Sequence, residues 1–213
     1  MRIYLDIETI GTTDPAVIAE IAAGIKHPGN MSKPETIARW EAEDKPALVA
    51  EAVSKTSFDG ALGRVICVCV AADEGKITAI TGEETDVLTG LHQWIGMLPV
   101  GPLSAVGHNV TWDVRFLWQR YVVNSIRPPH AIVKACRAKP WDIEDTMLLW
   151  NPERDRRISL DRLCKALRVP SSKSELEGSK VWDYYRAGKI AEIADYCRAD
   201  VEAMRACHLR MIV

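Results

Sequence analysis

The sequence predicts one α/β domain whose mixed sheet is flanked by helices. Three observations carry that expectation. The 213 residues supply one well-filled core and are few for two. Strand signals come early, at 2–7, 64–72 and 76–81. Beyond them, strand and helix patterns alternate to the end of the chain.

The first strand, "RIYLDI", places Ile3, Leu5 and Ile7 on one face and Tyr4, Asp6 and Glu8 on the other, because strand side chains alternate. A helical insertion follows over about 14–54. Its apolar spacing appears in "AVIAEIAAGI" and "ETIARWEAEDKPALVAEAV", with a break at "KHPGNMSKP". "RVICVCVAA" (64–72) reads as a buried strand, and "DEGK" turns it into "KITAIT". "TDVLTGLHQWIGML" is an amphipathic helix, and "SAVGHN" is a short strand ending in a polar turn. "TWDVRFLWQRYVV" is helical, with Thr111 placed to cap it. "WDIEDTMLLW", "SLDRLCKAL" and "KIAEIADYCRADVEAMRACHLRM" read as further helices, and 168–182 as a long polar loop. No linker or repeat divides the chain, so 1–213 is expected to form a single domain.

The composition, 47% hydrophobic and 26% charged, is that of an ordinary soluble globular protein. No apolar run reaches the length of a membrane span, and no leader-like segment precedes the first strand. Six cysteines show no CxxC pair, and Cys67 and Cys69 sit in a buried strand with no further zinc ligands in view. Reduced thiols and a cytoplasmic location are expected. The net charge of −2 says nothing for nucleic acid, but residues 114–141 carry six Lys or Arg and no acid. Such a stretch beside a carboxylate cluster suits an anionic substrate, or is simply a basic surface.

Asp6 and Glu8, side by side on a strand, repel unless a cation lies between them, and carboxylate oxygens favour Mg²⁺ or Mn²⁺. Asp113 falls in the first turn of a helix after "VGHNVTW", where it could equally serve the helix N-terminus. Tyr196 and Asp200 are four apart in "YCRAD" and share a helical face. A tyrosine hydroxyl beside a metal-holding carboxylate can orient water; it can also be an ordinary half-buried tyrosine.

In order, "DIET", "GHNVTWD" and "YCRAD" resemble the three motifs of the DEDD superfamily of 3′–5′ exonucleases. Tyrosine four residues before the last aspartate resembles the tyrosine branch. The likeness is to stand-alone bacterial and phage exonucleases related to the proofreading domain of family B DNA polymerases. "GRVICVCVA", "RPPHAI", "KPWDIEDTMLLW" and "LEGSKVWDYYRAGKIAEIADYCRADVEAMR" extend it over nearly the whole chain. The resemblance implies an RNase H-like fold and two divalent ions, Mg²⁺ or Mn²⁺, held by Asp6, Glu8, Asp113 and Asp200. It implies that Tyr196 orients the attacking water, that Thr9 and Ile10 meet the terminal nucleotide and that Asn109 helps fix it. Trp112 departs from the phenylalanine of many relatives. The implied activity is hydrolysis from the 3′ end of single-stranded DNA, with a DNA polymerase or a recombination protein as a conceivable partner. An exoribonuclease of the same superfamily and a non-catalytic nucleic-acid-binding subunit of a replication or recombination complex stay open as alternatives.

Overall fold

The computed structural model describes residues 1–138, 143–153, 157–172 and 177–212. Five strands form one sheet: β1 (Arg2–Ile10), β2 (Arg64–Ala72), β3 (Thr78–Thr81), β4 (Ser104–Gly107) and β5 (Glu144–Asp145). Their order is β3-β2-β1-β4-β5, which puts β1 in the centre. β2 pairs antiparallel with β3, while β1–β4 and β4–β5 are parallel. This mixed, helix-flanked sheet is the RNase H-like α/β arrangement.

The chain divides into two compact units, Met1–Glu8 with Val65–Val213, and Thr9–Arg64. The smaller unit is the expected helical insertion. It contains α1 (Pro15–Gly24), α2 (Pro34–Glu43) and α3 (Lys45–Lys55), with proline opening α1 and α2. A side chain at Gly11 would collide with the Val53 carbonyl oxygen. Thr56 ties the same corner, accepting from Thr12 N–H at 2.7 Å and donating to Val53 O at 2.6 Å.

In the larger unit the sheet separates two packing layers. Ile3, Leu5 and Ile7 pack with Val68 and Val70 against Val87, Leu88 and Leu91 of α4 (Glu84–Gly96). Val110, Val114 and Leu117 of α5 (Val110–Val123) and Ile132 of α6 (His130–Arg137) complete that layer. Each fully buried aliphatic side chain contributes roughly 1.5–3 kcal/mol. The opposite face carries α10 (Ile190–Met211), whose Ile193, Cys197, Val201 and Met204 are buried. His208 of this helix lies in the core, bonded to Tyr4 Oη at 2.9 Å and Glu144 Oε2 at 2.9 Å.

Several local expectations change. Thr111 does not cap α5: the helix begins at Val110, Asn109 precedes it at φ 67°, and Thr111 Oγ1 is buried without a hydrogen-bond partner. "WDIEDTMLLW" is not one helix. Among its described residues, Glu144 and Asp145 add a strand to β4 and α7 (Thr146–Trp150) alone is helical, with Asp145 capping Met147 N–H. The polar stretch 168–182 ends in helix, since α9 starts at Val181 (Val181–Arg186). α8 (Leu160–Leu167) and α10 form as expected. Lys139, Trp141 and residues 173–176 of the polar stretch lie outside the described residues.

Candidate active site

The parallel ladder between β1 and β4 runs from Arg2↔Ser104 to Tyr4↔Val106 and stops there. β4 ends at Gly107, where a Cβ would sit 2.6 Å from Val110 Cβ, so glycine lets α5 start this close to the strand end. Asn109 then takes the left-handed conformation that asparagine tolerates, and its N–H is pinned by Asp145 Oδ1 at 2.9 Å. The departure of β4 leaves the far half of β1 unpaired on that side. Asp113, in the first turn of α5, fills the place, and the nearby Ile7 N–H partly offsets the rise that burial gives its carboxyl.

Four carboxyl groups converge at this end of β1. Burial is the first cause that raises the Asp6 carboxyl well above its usual range, followed by the charges of Asp113 and Asp200. Glu8 is raised by burial, then by Asp6 and Asp200. Asp113 is pushed up to about 8, mainly by burial, with Asp145 adding to it. Asp200 is raised by burial, although Ser172 and Tyr196 hydrogen-bond its carboxylate. Burial and the neighbouring Asp200 likewise raise the Tyr196 phenol. Acids packed this closely, where the one cationic influence is His108 acting on Asp200, form a donor set that fits hard divalent ions.

The sequence reading missed two groups at the site. Cys197 Sγ lies 3.4 Å from Asp6 Oδ2 and 3.5 Å from Asp6 O, and ligand atoms of Asp6, Glu8 and Cys197 all lie within 4.8 Å of one another. The signal was present, since Cys197 follows Tyr196 directly in "YCRAD". Ser172 had no signal, for it sits in a polar stretch without periodicity. Cys67 and Cys69 also gain the further ligand they lacked in the sequence, because Cys197 packs onto them.

Other candidates find ordinary roles. His108 has both ring nitrogens occupied, by Thr146 Oγ1 at 2.8 Å and Ile158 O at 2.9 Å. Arg120, expected to be available to a phosphate backbone, is buried in an ion pair with Glu84 at 2.7 Å. Thr9 and Ile10 belong to the smaller unit, where Thr9 Oγ1 donates to Ser57 O at 2.8 Å and Ile10 is fully buried. A cavity of about 290 Å³ is lined by Asn109, Trp112, Arg115, Asp145, Asn151 and Arg157 among others, and none of the four converging acids lines it.

Residues 62–213 match the family described as predicted 3′–5′ exonuclease related to the exonuclease domain of PolB. The chain belongs to this family. The matched region holds Asp113, Tyr196 and Asp200, and it starts downstream of Asp6 and Glu8. No curated protein and no solved structure matches the chain. Among the described residues, no helix is long and apolar enough to cross a membrane.

Proposed function

We propose that this member of the exonuclease family is a divalent-metal-dependent 3′–5′ exonuclease of the tyrosine branch, acting on single-stranded DNA. The observation that carries the reading is the convergence of Asp6, Glu8, Asp113 and Asp200 at one end of β1, each with its carboxyl raised. Acids this strongly desolvated and mutually repelling are costly without positive charge, so their use is to hold it. Asp6, Glu8 and Asp200 would hold one Mg²⁺ or Mn²⁺, and Asp6 with Asp113 a second. When bound, such ions supply Lewis acidity to water and to the phosphate oxygens.

The residues of the chain do the rest. Tyr196, through its hydroxyl, would orient the attacking water in line with phosphorus and receive part of its proton's hydrogen bonding. The Tyr196–Asp200 hydrogen bond supports this by holding the ring at the carboxylates. Asn109, in the wall of the cavity, would position the terminal nucleotide. Thr9 and Ile10 are assigned to the same nucleotide by resemblance, Ile10 through its main chain because its side chain is buried. Trp112 and Arg115 give the cavity an aromatic surface and a guanidinium, groups that stack bases and attract phosphate.

The test is digestion of labelled single-stranded DNA with and without chelator. EDTA should stop nucleotide release, and added Mg²⁺ or Mn²⁺ should restore it. Asp6→Ala and Glu8→Ala should each be inactive while retaining the wild-type circular dichroism. Full activity in EDTA would end the metal reading.

A further inference from the structure

Behind the carboxylates, three thiols meet. Cys67 and Cys69 are two apart on β2 and share a strand face. Cys197 comes down on them from α10, and the three Sγ atoms lie within 4.8 Å of one another. All three residues are fully buried and none is in a disulfide. Cys197 is also the thiol that touches Asp6 Oδ2 at 3.4 Å, so the sulfur cluster and the carboxylate cluster share a member.

Filling space between β2 and α10 asks only for small apolar groups, as valine or alanine would supply. A convergence of three sulfurs offers more. In a tetrahedral thiolate site with metal–sulfur bonds of about 2.3 Å, neighbouring sulfurs stand about 3.8 Å apart. The observed cluster needs to close by about an ångström or less to reach that spacing. Soft thiolate ligands select zinc-like ions, whereas Mg²⁺ and Mn²⁺ stay with oxygen. The Asp6 carboxylate touches Cys197 at 3.4 Å but does not share the 4.8 Å grouping with Cys67 and Cys69, so it becomes the fourth donor by swinging toward the ion. Asp6 keeps a little exposure to solvent while the three thiols have none, so an ion reaches the thiols by way of the acids.

We propose that Cys67, Cys69 and Cys197, with one oxygen of Asp6, form a site for a single zinc-class ion, separate from the hard-ion positions. Each thiol gives its proton to solvent as the ion binds. Occupation of the site engages Asp6 and so removes it from the carboxylate set. This last consequence rests on the exonuclease reading above; the binding itself does not.

Cadmium serves as the probe, because its thiolate complexes absorb in the ultraviolet through sulfur-to-metal charge transfer. The reduced full-length chain is titrated with Cd²⁺ in excess Mg²⁺. One ion per chain should bind with the band of three thiolates, and X-ray absorption at the cadmium edge should find three sulfur neighbours. Cys67→Ala and Cys69→Ala should each weaken binding at least about tenfold and shrink the band. Cys164→Ala should leave it unchanged, which controls for the other close thiol pair, Cys164 and Cys207, at 3.5 Å. Should an alanine variant fail to fold, the absorption spectrum of the wild type still decides. In the nuclease assay, Cd²⁺ should inhibit the wild type, excess Mg²⁺ should not relieve it, and a dithiol chelator should. Cys69→Ala should keep its Mg²⁺-dependent activity and lose the inhibition. An absorption spectrum with oxygen neighbours only, or a band that follows Cys164, would overturn the site. A three-sulfur site that forms without inhibiting an active enzyme would overturn the link to Asp6. A chain that binds Cd²⁺ this way but never cleaves DNA would sink the exonuclease reading and leave the site standing.

Discussion

Tyr196 and Asp200 share a helical face and a hydrogen bond, yet the proposed mechanism gives them different tasks. Tyr196→Phe keeps the ring and removes only the hydroxyl. Metal affinity, DNA affinity and melting temperature should barely change, while turnover drops by roughly 10²–10⁴-fold, the scale of a positioned acid–base group. Raising the pH should recover part of the loss, since hydroxide then competes as nucleophile. Unchanged turnover at neutral pH would make the tyrosine purely structural. Asp113 makes a prediction about stability. Its carboxyl rises from an ordinary 3.8 to about 8 in the fold. The proton is therefore held more tightly in the folded state. Its contribution is full below the unfolded value and is lost as the pH climbs through about 8. In EDTA the melting temperature should fall between about pH 5 and pH 8.5, and Asp113→Asn should flatten that fall. Added Mg²⁺ should restore the wild type at the alkaline end. A wild-type curve in EDTA that is as flat as the variant's would contradict the burial argument. These residues were readable because their motifs combine type with spacing. Ser172 was not, because a hydrogen bond made from an irregular stretch leaves no periodic trace.

The elements differ in how openly their sequences declared them. β2 matches its expected span because eight of the nine residues of "RVICVCVAA" are apolar, and the structure buries seven of them. β1 outran its expected end by three residues, since "ETI" looks polar until Glu8 is seen buried beside Asp6. β5 was invisible: two residues pair only because β4 offers them an edge, a tertiary cause with no local signature. The basic stretch divides in the same way. Arg120 turned inward because Glu84 waits for it, held also by Val65 N–H at 2.8 Å and Asn124 Nδ2 at 2.9 Å. Glu84→Ala should cost about 3–5 kcal/mol, since it strands a buried guanidinium. Urea denaturation reads that loss directly, and a change below about 1 kcal/mol would show the pair to be well hydrated. Arg115, Arg127, Lys134 and Arg137 are exposed and remain available to a phosphate chain. If Arg115 contacts one phosphate of single-stranded DNA, neutralising it should lower the slope of log affinity against log salt by about 0.7. An unchanged slope would place binding elsewhere.

For the molecule as a whole, a net charge of −2 and a nucleic-acid substrate are compatible because the positive field arises locally. On the proposed reading, cations held by the acids would supply it there, and exposed arginines supply it along α5 and α6. The order of elements was enough to expect a mixed sheet with β1 carrying the acids, but composition could not show that the chain forms two compact units. That division depends on contacts within Thr9–Arg64, which an apolar pattern does not reveal. Sugar preference also lies beyond the pattern, so DNA and RNA of one sequence should be compared side by side, with faster release from DNA expected. The most direct measurement of the central claim uses three single-stranded DNA substrates with Mg²⁺: unmodified, blocked by a bulky group at the 3′ end, and blocked at the 5′ end. The account predicts that the unmodified and 5′-blocked strands shorten one nucleotide at a time from the 3′ end, releasing nucleoside monophosphates, and that the 3′-blocked strand survives. Digestion of the 3′-blocked strand, or internal cleavage of a closed single-stranded circle, would contradict it.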